Sequence, residues 1–142
     1  EIAGATHAGS ITAIVTVLDD GDARDPVSDA ARSLLDGHIV LSPTLAQAGH
    51  FPAIDVPASA SRTMDAVVTL EQCEAAALVR GALAWLERTH EARSLGLLVP
   101  DAASERFVAA RECIENFLRQ GRHASSPAAT LAGLNQTADI LR

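Results

Sequence analysis

Two kinds of apolar patterning divide this chain. Residues 10–18 are rich in β-branched side chains and almost uniformly apolar, as in a strand buried on both faces of a parallel sheet. A central strand needs neighbours, and the later chain offers one more short candidate, residues 38–41, so part of the sheet is expected to precede residue 1. Between them, residues 19–25 are a polar loop, with Asp25 placed to cap a helix that has Pro26 at its first position. That helix is expected over residues 26–36, with Val27, Ala31 and Leu34 on one face and Gly37 ending it. Ser42-Pro43 starts a second short helix, stopped at Gly49. Strand, helix, strand, helix is an α/β rhythm.

Residues 49–62 fit neither period. Pro52 and Pro57 interrupt the stretch, which predicts a rigid, extended loop with a ring, Phe51, near one end and a guanidinium, Arg62, at the other. After Arg62 the spacing becomes helical. Residues 70–95 read as one long helix with Val79, Leu83 and Leu86 inward and Glu71, Glu74 and Glu87 on the wet side. An apolar turn, residues 95–100, leads to Asp101 as the next cap. Phe107, Ala110, Ile114 and Phe117 then recur at helical steps, with Gly121 ending the helix. Ser126-Pro127 opens a last helix carrying Leu131, Leu134, Ala138 and Leu141 on one face. The pattern therefore predicts the tail of an α/β domain over residues 1–65 and an all-helical domain over residues 66–142.

Composition narrows the function. Hydrophobic residues make up 48% of the chain but aromatics only 3%, which suits closely packed helices better than a β-sandwich. The net charge of −7 argues against a duplex nucleic-acid binder. All 11 basic residues are arginine, with no lysine anywhere. Across a helical hairpin turning near Leu98, Cys73 and Cys113 would be offset by ~15 Å, too far for a disulfide, so both are expected as buried thiols in a reducing cytosol. The opening residues have no basic start of the kind a signal peptide carries, and the longest apolar run is too short to span a bilayer. The acidic loop fails as a calcium site because Arg24 falls where a fifth-position ligand would stand and the glycine is misplaced. His7, His38, His50, His90 and His123 have no metal-ligand spacing, and no nucleophilic triad can be assembled. Taken alone, Phe51 would fill core and Arg62 would be a surface charge or a partner for Asp55.

The stretches Gly9-Ser10-Ile11-Thr12-Ala13, Asp36-Gly37-His38-Ile39-Val40-Leu41-Ser42, Gly49-His50-Phe51-Pro52-Ala53-Ile54-Asp55 and Ser61-Arg62-Thr63-Met64 stand in that order. Together they resemble the type III secretion and flagellar export ATPases, relatives of the catalytic β subunit of rotary F-type ATP synthases. Phe117-Leu118-Arg119-Gln120-Gly121 extends the likeness more weakly, and Ile2 and residues 95–101 depart from it. The resemblance implies the C-terminal part of a RecA-like P-loop ATPase core followed by a helical C-terminal domain. It implies a cytoplasmic homo-hexamer at the inner-membrane export apparatus that hydrolyses ATP with Mg2+ to drive protein export. Phe51 would stack on adenine with Gln120 and Gly121 beside it, and Arg62 would be the arginine finger that completes a neighbouring subunit's site. Residues 19–25 would face the central stalk. The implied partners are a coiled-coil stalk protein and secretion chaperone–substrate complexes, with no nucleic acid among them. A non-catalytic helical docking module and a fragment of a rotary ATP synthase subunit are the alternatives.

The P-loop motif G-x-x-x-x-G-K-[ST] requires a lysine, so this chain holds no P-loop. Phosphoryl transfer rests on positioning and charge around the β- and γ-phosphates. The isolated chain should therefore show no magnesium-dependent ATP turnover. A steady phosphate-release rate that persists through further purification would contradict this.

Overall fold

Helix caps, a strand bulge and alanine-lined helix contacts set the architecture of the computed structural model, which describes residues 4–18, 26–97 and 101–142. These fall into two compact units, one ending at Leu35 and the other starting at Asp36.

In the first unit, β1 (Gly4–Thr6) and β2 (Gly9–Ile11) form an antiparallel hairpin, with Gly4 opposite Ile11 and Thr6 opposite Gly9. The Thr6 Oγ1 closes the turn by accepting from the Ala8 N–H at 3.2 Å. The long buried strand expected over residues 10–18 is not formed. Strand structure stops at Ile11, and Ile14 and Leu18 are 92% and 89% exposed. Strand geometry survives only where a ladder partner accepts its hydrogen bonds, and the described part of β1 ends opposite Ile11. Helix α1 (Pro26–Leu34) starts at the expected proline and ends early, with Leu34 turned to solvent. The expected loop at residues 19–25, its Asp25 cap and the Val27 side chain lie outside the described residues.

The second unit opens with β3 (Gly37–Leu41), so Gly37 begins a strand and does not end a helix. A Cβ there would meet the Ala60 carbonyl oxygen at 2.8 Å, and this close approach explains the glycine. Helix α2 (Pro43–Gln47) is capped by Ser42, whose Oγ accepts from the Leu45 N–H at 3.4 Å, and the chain leaves it through Gly49 at φ 69. The expected extended loop is instead largely a strand, β4 (Ile54–Ser61), antiparallel to β3. Both sheets among the described residues are thus antiparallel pairs, not the parallel sheet that the pattern suggested.

Pro57 is tolerated in β4 because of a register shift. Val40 pairs with Asp55 and His38 with Ala60, so the residues between Asp55 and Ala60 bulge outward where no ladder donor is needed. The bulge satisfies its own polar groups. Ser59 Oγ accepts from the Val40 N–H at 3.0 Å and donates to the Asp55 carbonyl at 2.5 Å, while Asp55 Oδ1 accepts from the Ala58 N–H at 2.9 Å.

Beyond α3 (Met64–Val67), helix α4 (Leu70–Arg88) begins with a Thr69–Gln72 capping box. The single long helix expected here breaks at Thr89, whose Oγ1 donates to the Trp85 carbonyl at 2.7 Å, and resumes as α5 (His90–Ser94). Helix α6 (Ala102–Leu118) starts at Asp101 as expected and ends at Leu118, short of Gly121. Helix α7 (Pro127–Leu141) has Ser126 as its cap. The core is Val79 and Ala82 of α4, Ala110 and Ile114 of α6, and Leu141 of α7. Alanine at these contacts lets the helices approach closely, and the Trp85 and Phe107 rings meet edge-to-face at 5.7 Å. Cys73 and Cys113 are free thiols, half-buried. Partial burial pushes the Cys73 thiol pKa up, and its hydrogen bond to Asp65 and the charges of Asp65 and Glu74 add to the rise.

Two glycines should respond to alanine with opposite signs. Gly37→Ala forces the β3–β4 backbone apart and should destabilise by about 1–3 kcal/mol. Gly81, exposed within α4 with open space around it, should gain about 0.5–1 kcal/mol as alanine. Urea unfolding of both variants checks the pair, and equal shifts in midpoint would contradict it.

Candidate functional site

Phe51 follows buried His50, whose N–H donates to the Leu45 carbonyl at 2.9 Å and so folds the chain back against α2. Phe51 is 57% exposed. Its carbonyl oxygen accepts from the Gln120 N–H at 2.9 Å. That bond brings together two sequence-predicted site residues from opposite ends of the second unit.

The Gln120 loop is seated from behind. Arg119 closes α6 by donating its N–H to Glu115 at 3.0 Å. One turn earlier, Phe117 lies so close to Gly133 of α7 that a Cβ there would stand 2.9 Å from the ring. The Gln120 side chain turns along the loop, donating to the His123 carbonyl at 3.4 Å. Gly121 faces open space, and a Cβ there would meet nothing within 4 Å. An exposed aromatic ring on a fixed backbone suits a flat heterocycle that stacks on one face.

Arg62 stands apart from this pair in the fold. It follows the last residue of β4, its N–H donates to the Asp36 carbonyl at 2.7 Å, and its side chain is exposed. The structure therefore brings Phe51 and Gln120 together, with Gly121 next in the chain, and leaves Arg62 past the far end of β4.

Sequence reasoning missed the groups that hold these pieces. The Arg80 side chain reaches from α4 to the Ser59 carbonyl at 3.0 Å, and His38 Nε2 lies 3.1 Å from the Ala58 carbonyl. The available signal was a proline flanked by Asp55 and Ser59, since short polar side chains around an interrupted strand commonly bond their own backbone. No group of three or more metal-capable side chains is found among the described residues. No helix among them is long and apolar enough to cross a membrane.

Residues 1–61 match the ATP synthase alpha/beta family, nucleotide-binding domain. The chain is 46% identical over 124 residues to the flagellum-specific ATP synthase of Treponema pallidum (strain Nichols), covering 85% of this chain and 28% of that protein. Among solved structures, the assembled ATPase EscN of the enteropathogenic E. coli type III secretion system matches with a TM-score of 0.88 at 40% identity, over 96% of this chain and 34% of that one. EscN in complex with its central stalk EscO matches with a TM-score of 0.85 at 38% identity, over 96% of this chain and 33% of that one. The α/β content and the helical segment are thus shared with these proteins, and the chain spans about a third or less of their length.

Proposed function

We propose that this chain is the C-terminal portion of a hexameric ATPase that energises type III protein secretion or flagellar export. Residues 1–65 would complete a RecA-like core and residues 66–142 form its helical domain. The exposed apolar run after Ile11 fits a strand whose neighbours belong to the rest of such a core. The observation that carries the reading is the Phe51–Gln120 backbone bond, which assembles one wall of an adenine pocket from two distant segments.

Phe51 offers its ring face to the base, and Gln120 and Gly121 shape the edge of the same pocket. Arg62 lies away from that wall and serves the phosphates of a neighbouring subunit's ATP. Arginine suits the task because its fork stays charged and can bind two phosphate oxygens. In this reading the chain's own residues contribute base stacking and charge stabilisation. The working protein would act at the cytoplasmic face of the export apparatus.

A second reading concerns docking and is compatible with the first. Leu95 and Leu97 are 71% and 73% exposed at the end of α5, and an open hollow between α4, α5 and α6 is lined by Leu83, Leu86 and Ile114 together with His90, Arg93 and the Arg111–Glu115 ion pair. Residues 98–100 of the apolar turn lie outside the described residues. We assign this end of the helical domain to a coiled-coil stalk protein or a secretion chaperone. Replacing both leucines with aspartate should abolish co-purification of such a partner and leave basal turnover intact; retained binding would refute the assignment.

For the nucleotide reading, Phe51→Ala in the longer protein should weaken nucleotide binding by one to two decades, from about 1–3 kcal/mol of lost stacking. Arg62→Ala should leave binding in place and cut turnover by about 10³–10⁵, or roughly 4–7 kcal/mol of barrier. Lysine should restore only part of it. Equilibrium nucleotide titration and steady-state kinetics check both, and unchanged affinity in the first or unchanged turnover in the second would overturn that assignment.

A further inference from the structure

Arg62 is useful as a finger only if something rigid holds it, and a β-bulge is a weak support by itself. The carbonyls of a bulge lose their ladder partners, and each needs another donor. In β4 the Ala58 carbonyl faces His38 Nε2, and the Ser59 carbonyl takes the Nη2 donor of Arg80 at 3.0 Å. Beyond the bulge, Ala60 and Ser61 pair with His38 and Gly37, and the Arg62 N–H bonds Asp36. These last contacts tie the Arg62 backbone to β3. One link from these paired strands to the helical bundle is Arg80, a half-buried residue of α4. On the same helix, Ala75, Val79 and Ala82 are buried.

We infer that Arg80 is a positioning residue for Arg62, fixing the β3–β4 hairpin to α4 through the Ser59 carbonyl. This rests on the trans-arginine reading given above and adds what sets the finger's place. An arginine is well suited here: its stem packs along the helix while its charged fork makes a hydrogen bond stronger than a neutral donor would. With that bond removed, the hairpin keeps its own ladder and cap bonds but gains freedom relative to the bundle. Misplacement of a reacting group by 1 Å can cost about 10²-fold in rate, so a small displacement at Ser59 is enough to matter at Arg62.

The test uses the assembled longer protein. Arg80→Met keeps the apolar stem and removes the donor; Arg80→Lys returns one donor without the fork. The Met variant should lower kcat by about 10–100-fold with the KM for ATP unchanged, and Lys should recover part of the loss. Amide exchange should speed up across residues 58–62 in the Met variant and stay unchanged in α4, α6 and α7. Full turnover in the Met variant, in a protein that Arg62→Ala cripples, overturns the inference. So does a loss carried by KM, or faster exchange throughout the bundle, since either makes Arg80 a general stabiliser. If Arg62→Ala itself leaves turnover intact, the finger reading fails first and takes this inference with it.

Discussion

Pro57 has no N–H to give to a ladder, and the second unit is arranged around that constraint. The strand bulges between Asp55 and Ala60, and side chains from three directions take over the orphaned backbone groups: Ser59 and Asp55 from the bulge itself, His38 from β3 and Arg80 from α4. Each such bond is worth only about 0.5–1.5 kcal/mol net, but a half-buried polar group left unmet costs about 1–3 kcal/mol. The set therefore acts mainly by excluding other conformations of the strand. Its consequence is a defined end to β4, and Arg62 stands at that end.

The second organising contact joins the two ends of the unit. Phe51 leaves α2 after buried His50, and its carbonyl meets the first residue past the α6 cap. Phe117 packed on Gly133 holds that loop to α7. A bundle whose buried positions are largely alanine thus fixes the place of an aromatic ring that it does not itself carry. The helices and the ring site depend on one packing arrangement, which is why an exposed aromatic can keep a fixed position without being buried.

Much of this was legible in the sequence. Ser42-Pro43, Asp101 and Ser126-Pro127 announced helix starts through cap chemistry that is local in the chain, and all three stand. The stripe through Ala110 and Ile114 marked the core because helical period and burial coincide there. The failures have a common cause. Gly37 read as a helix stop, yet its role is a close approach to Ala60, which only the paired strand reveals. Residues 54–61 read as a loop because two prolines mask a strand whose bulge depends on side-chain bonds. Residues 10–18 read as a buried strand on composition alone, whereas among the described residues only Ser10 and Ile11 of that run have ladder partners. Arg80 was invisible because a charged residue on a helix gives no sign of a partner distant in sequence.

In the proposed ring, Phe51 and Arg62 serve two different nucleotides, one on the chain's own subunit and one on its neighbour. The most direct measurement mixes two inactive forms of the longer protein, one carrying Arg62→Ala and the other a dead P-loop. Sites that combine an intact P-loop with an intact arginine from the adjacent subunit arise only in mixed rings, so ATP turnover should reappear on mixing. Mixed rings that form, verified by pull-down of one tagged subunit, and still turn over nothing would contradict the account.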